Sequence, residues 1–413
     1  MIYKYKLWTM FKRNVLSQIV PFIKTHDILL FYWSRQVWKT SLMKIIEEDY
    51  ITWRSIKFDL EKDGVLDLLN KWPDVFMNYL TSIVGRNKEE RMTVFIDEIQ
   101  YMDNPTSFLK SIYDEYENIK FIVSGSSTLE IRKKLKDSLA WRLLKFDIHP
   151  LWFDEFLLFK WKTELSNAIW KKDIPDFITV QLKEYYKEYL TYWWYPKIAL
   201  TDWDFYKRAY IKQIFESYIE KDIKDIWKIK DIDWFNNLLI LLAIQIWNLV
   251  NYSEISSKLW INLATLKLWL ALLENTFIIK MIYPYSWSLR WEIIKSPKIF
   301  FVDTGIRNYC ANDYEFTWAL FENGFYSFIQ NSWSAEKVNF YRTKDKQEID
   351  FVIDDIPYEL KLSYNWRWTT VLNNFEEKLN VEWKIITLEK KSDKRRGWYY
   401  PWELQNLKYR EEY

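Results

Sequence analysis

The chain has 413 residues, too many for one ordinary hydrophobic core, so two to four domains are expected. Apolar residues make up 49% and charged residues 28%, a normal globular balance. No run of about 18 apolar residues is present to span a membrane, and no signal-peptide apolar core follows Met1. Net charge is +2, which neither demands nor excludes nucleic acid. A single cysteine, Cys310, fits a reducing cytoplasm, and two histidines, His26 and His149, leave zinc sites and His-dependent triads almost without raw material.

In chain order, residues 1 to about 27 read as a helical lead-in. "DILLFY" is then a strand, followed by a loop over 33–40 and the helix "SLMKIIEEDY". "RSIKFDL" reads as a second strand, and "LDLLNKWPDVFMNYLTSIV" carries helical spacing. "MTVFIDEIQ" is a buried strand running into carboxylates, "FLKSIYDEYENI" is an amphipathic helix, and "KFIVSGSS" and "LLKFDIHPL" are further strands. Strands alternating with helices predict a parallel sheet covered on both faces. This places one α/β domain over residues 1–155, with a helical lid over 156–230. Three short helices and "FIIKMIYPY" fit a winged helix over 231–290. There Asn262 caps a helix that sets Leu263, Leu266, Leu270 and Leu273 on one face. Mixed helix and strand over 291–413 predict a smaller α/β domain. The basic clusters Arg132–Lys134 and Lys390–Arg396 read as solvated faces.

The loop after the first strand carries the chemistry. "FYWSRQVWKTS" has the spacing of a phosphate-binding loop, Gly-x4-Gly-Lys-Ser/Thr, in the right strand-to-helix context. Its two glycine positions hold Trp33 and Trp38, and an indole there leaves no room for a phosphate against the backbone. The whole chain is skewed the same way. Glycine occurs 6 times, where roughly 29 are expected, and tryptophan 26 times. Trp141, Trp193, Trp194, Trp247 and Trp260 fall where predicted helices end, places that favour glycine because φ is positive there. The economical explanation is a UGA codon read as glycine in the source and as tryptophan in translation.

With glycine at 33 and 38 the loop becomes a nucleotide cradle of residues 33–41: Trp33, Ser34, Arg35, Gln36, Val37, Trp38, Lys39, Thr40 and Ser41. Lys39 would neutralise the β- and γ-phosphates of ATP, and Thr40 would hold Mg²⁺. Asp97 would complete the Mg²⁺ site, Glu98 would polarise the attacking water, Ser126 would sense the γ-phosphate, and Arg142 would reach a neighbouring subunit as an arginine finger. Alternatively, Asp97 and Glu98 are solvated carboxylates and Arg142 is structural.

Loop, "FIDEIQ", "SGSS", "SLAWRLLKFDIHPLWFDEF" and "YLTYWWYPKIAL", in that order, resemble the archaeal and bacterial AAA-type ATPases that carry a C-terminal domain of unknown function. The resemblance implies Gly-Arg at 141–142 and Gly-Gly-Tyr-Pro at 193–196. Further on, Asp350 and Glu359-Leu360-Lys361 fit a PD-(D/E)XK nuclease pattern, with Glu322 as the acid from the preceding helix. Glu322, Asp350 and Glu359 could hold a metal and Lys361 assist a water; surface charges on a hairpin would look the same. The expectation is therefore an α/β P-loop NTPase of AAA-like core with lid, winged helix and nuclease-like domain, hydrolysing ATP with Mg²⁺ and binding a nucleic acid or protein partner through its C-terminal half. A homo-oligomer is compatible with it. A nucleotide-switched DNA-binding or DNA-cleaving module, and a nucleotide-dead scaffold if Trp33 and Trp38 are real, are the alternatives.

Overall fold

The computed structural model describes residues 13–32, 39–62, 64–87, 89–125, 139, 141–192, 195–219, 223, 231–246, 248–285, 296–332, 337–343, 347–362, 372–373, 375–377, 381–389 and 397–404. The chain divides into two compact units, residues 1–150 and 151–413.

The first unit is a parallel sheet of five strands in the order β2-β3-β4-β1-β5. They are β1 (Ile28–Tyr32), β2 (Arg54–Asp59), β3 (Met92–Asp97), β4 (Ile119–Gly125) and β5 (Leu143–Asp147). The near-continuous apolar runs of β1, β3 and β4 are what strands covered on both faces require. Helices α1 (Val15–Ile23), α2 (Lys39–Tyr50), α3 (Val65–Leu69), α4 (Pro73–Ser82) and α5 (Pro105–Glu115) accompany the sheet. The single helical stretch expected over 66–84 is two helices. Pro73 cannot follow a helical residue without a clash, so Trp72 is extended (ψ 145°) and Pro73 opens α4. Phe76, Leu80, Phe108 and Ile112 from α4 and α5 pack with Val94, Ile96, Phe121 and Val123 of the sheet into one buried core.

The second unit begins with helices α6 (Phe153–Phe159), α7 (Thr163–Ile169), α8 (Asp176–Tyr192), α9 (Pro196–Ala199) and α10 (Asp204–Tyr218). Then come α11 (Ile232–Ile244), α12 (Tyr252–Lys258) and α13 (Leu263–Asn275), and a two-stranded antiparallel pair, β6 (Ile279–Ile282) with β7 (Lys298–Phe301). Asn262 caps α13 by accepting from the Thr265 amide at 2.8 Å. Leu266, Leu270 and Leu273 are buried as their spacing predicts, but Leu263 is exposed. As the first helical residue it precedes the turn whose inner face the others fill.

Helix α14 (Thr304–Ala311) packs among α8, α10 and α11. Gly305 allows this: a Cβ there would lie 2.5 Å from the Tyr192 carbonyl oxygen. Helix α15 (Trp318–Ser332) approaches α8 as closely, because a Cβ on Gly324 would meet Leu190 Cδ2 at 2.4 Å. A mixed sheet follows, in the order β12-β11-β10-β9-β8, built from β8 (Val338–Arg342), β9 (Glu348–Ile353), β10 (Ile356–Lys361), β11 (Lys384–Thr387) and β12 (Trp398–Tyr399). β8, β9 and β10 run antiparallel, and β11 and β12 add in parallel.

Among the described residues, two tryptophans occupy left-handed backbone. Trp161 (φ 59°) follows α6 and Trp260 (φ 51°) follows α12. In each case the next amide bonds back across the helix end, Lys162 to Leu157 and Ile261 to Ser256, closing a Schellman motif whose αL position favours glycine. Their side chains are 58% and 87% exposed, so little packing offsets the strain. Trp53 and Trp269 are different: Trp53 Nε1 donates to Thr93 Oγ1 at 2.8 Å, and Trp269 is buried edge-on against Phe235. Trp141 is 93% exposed, and Trp193, Trp194 and Trp247 lie outside the described residues.

Candidate nucleotide site

β1 ends at Tyr32 and α2 begins at Lys39. The residues between them, Trp33, Ser34, Arg35, Gln36, Val37 and Trp38, lie outside the described residues, as does Ser126. β4 separates β1 from β3, so the end of the loop strand and the end of the acidic strand are two strand spacings apart, about 9.6 Å. The first turn of α2 closes that gap. Thr40 Oγ1 donates to Asp97 Oδ2 at 2.5 Å. From β4 between them, buried Ser124 donates to Asp97 Oδ1. Thr40, Asp97 and Ser124 thus form one hydroxyl–carboxylate–hydroxyl row at the C-terminal edge of the sheet.

Lys39 lies in the first turn of α2 and is buried; Ser41 follows Thr40 on the same turn. The amino end of this 12-residue helix carries partial positive charge and free amides, a setting that suits phosphate. The hydroxyl of Thr40 and the carboxylate of Asp97 are hard oxygen donors that fit Mg²⁺.

Glu98 sits just beyond β3 in left-handed backbone (φ 58°). Its amide reaches Ser124 Oγ at 3.4 Å, and its carboxylate accepts from Gln100 Nε2. A non-glycine residue held there costs on the order of 1 kcal/mol, and such strain concentrates at working sites. Ser124 is the residue missed from sequence. Its signal was a hydroxyl in the penultimate position of the apolar strand "IKFIVSG".

Arg142 lies elsewhere. It precedes β5, and its carbonyl accepts from the Ile28 amide at the start of β1. The opposite edge of the sheet is five residues away, about 16 Å. Its guanidinium forms a two-point pair with Asp114, Nε to Oδ1 at 2.7 Å and NH2 to Oδ2 at 3.1 Å. Within one chain it does not reach Asp97.

In the second unit a separate group of charges gathers where β7, α15, β9 and β10 meet. Asp350, the third residue of β9, accepts from the Leu360 amide at 2.8 Å. Glu359 Oε1 accepts from Lys361 Nζ at 2.5 Å. Glu322, fully buried on α15, accepts from Lys298 Nζ at 3.2 Å, and Lys298 also pairs with Glu348. Burial pushes the Glu322, Asp350 and Glu359 carboxyls up, Glu322 to about 7 and Glu359 to about 8. Burial alone would depress the Lys298 ammonium; Glu322, Glu348 and Asp350 overturn that and raise it. The sequence reading brought Glu322, Asp350, Glu359 and Lys361 to this region and missed Lys298, whose signal was one cation heading the apolar strand "KIFF".

Residues 25–157 match the AAA domain family, and residues 183–315 match a domain of unknown function (DUF8612). The match to the AAA domain family falls on the five-stranded parallel sheet of the N-terminal unit. Among relatives, an uncharacterized protein of Haemophilus influenzae is 24% identical over 84% of this chain and 85% of its own length. The uncharacterized protein MJ1544 of Methanocaldococcus jannaschii is 28% identical over 63% of this chain, and the match spans only 58% of that relative. Among solved structures, the Thermotoga maritima RuvB Holliday junction branch migration motor is 16% identical, with 64% of this chain and 85% of that one covered, at a TM-score of 0.31. Drosophila ORC bound to DNA gives 0.26 at 10% identity, covering 33% of this chain and 87% of that one. Likenesses at such TM-scores do not bear on function. Among the described residues, no helix is long and apolar enough to cross a membrane.

Proposed function

We propose that this chain binds and hydrolyses ATP with Mg²⁺ at the C-terminal edge of its first sheet, and that glycine is the residue carried at 33 and 38. The observation that carries the reading is the convergence of Thr40 and Ser124 on Asp97, directly beside Lys39 and Glu98. Lys39 offsets phosphate charge, Thr40 and Asp97 hold Mg²⁺, and Glu98 orients and deprotonates the attacking water. When bound, Mg²⁺ supplies charge neutralisation on the transferring phosphoryl group. Ser124 fixes the rotamer of Asp97 from the strand between. The region from α6 to α10 serves as a helical lid. The segment from α11 to β7 is a winged-helix-like module that takes the motion to a partner.

Glycine at 33 and 38 is supported by the chain-wide exchange of glycine for tryptophan and by the left-handed backbone at Trp161 and Trp260. Trp53 and Trp269, which use their indoles, are true tryptophans on this reading. The codons decide it: UGG at positions 33 and 38 would sink the recoding. The partner-binding half is read as a protein-binding rather than a DNA-binding surface. α13 offers Lys267 as its one base and exposes Leu263 and Leu268. Arg142 acts across a subunit boundary. Phosphate release from ATP by the Trp33→Gly/Trp38→Gly chain tests the reading, with Lys39→Ala expected to abolish it.

A further inference from the structure

Glu322, Asp350 and Glu359 are the carboxylates that the sequence pattern marks for a divalent cation. In this chain each of the three already has a partner within the protein. Glu359 Oε1 is held by Lys361 at 2.5 Å and its Oε2 faces the Asp350 amide at 3.4 Å. Asp350 Oδ2 accepts from the Leu360 amide at 2.8 Å. Glu322 Oε1 takes Lys298 at 3.2 Å. Glu348, on the same strand as Asp350, is shared between Lys298 and Arg342, the latter at 3.6 Å. Among the described residues, no group of three or more acidic, His or Cys side chains is disposed to hold a metal. A divalent ion does not fit this arrangement.

At the Glu322 end of the cluster one side chain decides this. Lys298 lies at the head of β7, only 3% exposed, and its ammonium stands between the carboxylate of α15 and that of β9. A buried carboxylate with a second, half-buried one beside it is costly without a cation. A metal site supplies that cation from solution; here the chain supplies it. The ring of Phe340 lies 5.3 Å from the same ammonium and limits its access to water.

We propose that Lys298 is the permanent cation of this cluster, standing where a divalent metal would otherwise sit. The consequence is a different job for the second unit. Lys298 belongs to the β6–β7 pair that completes the segment after α13, while Glu322 and Glu348 belong to the helix and sheet that follow. The cluster therefore pins the helical module to the mixed sheet. That unit acts by binding, without metal-dependent cleavage of phosphodiesters. This inference is independent of ATP hydrolysis in the first unit.

The test is a titration of the full chain with Mn²⁺ alone, followed by the electron paramagnetic resonance signal of free Mn²⁺. Asp97→Asn is introduced to silence the nucleotide site. The expected result is no site tighter than about 1 mM, the weak end of carboxylate cation sites. In the same background Lys298→Ala is expected to gain one Mn²⁺ site, with affinity raised at least tenfold, and to lose it again on adding Glu322→Gln. One equivalent of Mn²⁺ bound with Lys298 present, and released by Glu322→Gln or Asp350→Asn, would overturn the proposal. A folded Lys298→Ala chain that leaves Mn²⁺ free would overturn it too. Should Lys298→Ala fail to fold, the titration of the Lys298-containing chain decides alone.

Discussion

Ser124→Ala is the perturbation that isolates the row at the sheet edge. The serine is fully buried and donates to Asp97 Oδ1, while Thr40 donates to Oδ2 at 2.5 Å. A hydrogen bond to a charged acceptor contributes about 1.5–3 kcal/mol. Its second contact, from the Glu98 amide at 3.4 Å, is long and adds little. Removing one oxygen from a site this tight leaves space too small for a water, so nothing restores the bond. If Asp97 must point at the metal, that loss appears in transition-state stabilisation as a roughly ten- to hundredfold drop in kcat/KM for ATP. It also appears as a higher Mg²⁺ requirement. The assay is steady-state phosphate release against Mg²⁺ concentration, in the Trp33→Gly/Trp38→Gly chain with and without Ser124→Ala. A purely packing role predicts a lower Tm with unchanged Mg²⁺ dependence. An unchanged kcat/KM and Mg²⁺ profile in a folded Ser124→Ala chain would refute the reasoning.

Other consequences concern stability and residue identity. Gly324→Ala places a methyl 2.4 Å from Leu190 Cδ2, and overpacking of this kind costs about 1–3 kcal/mol, read as a lower denaturant midpoint; an unchanged midpoint would mean that α8 and α15 are not in contact. Asp303 is buried at the start of α14, and burial raises its carboxyl to about 6. An acid raised in the folded state contributes stability below its unfolded value near 3.8 and loses it as pH rises through about 6, an effect of up to about 3 kcal/mol. Asp303→Asn can still accept from the Ile306 amide, so it should flatten the stability profile between pH 4 and 7, and an unaltered profile counts against that account. Peptides from the native source should read glycine at 161 and 260 and tryptophan at 53 and 269, by mass spectrometry; tryptophan at all four ends the recoding.

Much of the first unit was legible because its signals are local. Apolar runs of five to seven residues ending in polar side chains mark parallel strands, and Lys39-Thr40 after one and Asp97-Glu98 after another announce the chemistry. What sequence could not supply is lateral order. Only the insertion of β4 between β1 and β3 puts Ser124 against Asp97. In the second unit the carboxylates were found by spacing, but Lys298 lies 24 residues before Glu322 and 50 before Glu348, on a different element. No periodicity links residues brought together by tertiary packing. The break at Trp72-Pro73 was the opposite case, a local rule passed over in favour of a longer helical pattern.

The central claim is ATP turnover at an intact loop, and phosphate release by three purified chains addresses it most directly. With glycine at 33 and 38 the chain should hydrolyse ATP in the presence of Mg²⁺. The chain with Trp33 and Trp38, and the glycine chain carrying Lys39→Ala, should not. A glycine chain as inert as the tryptophan one, or a Lys39→Ala chain that keeps its turnover, would contradict the account.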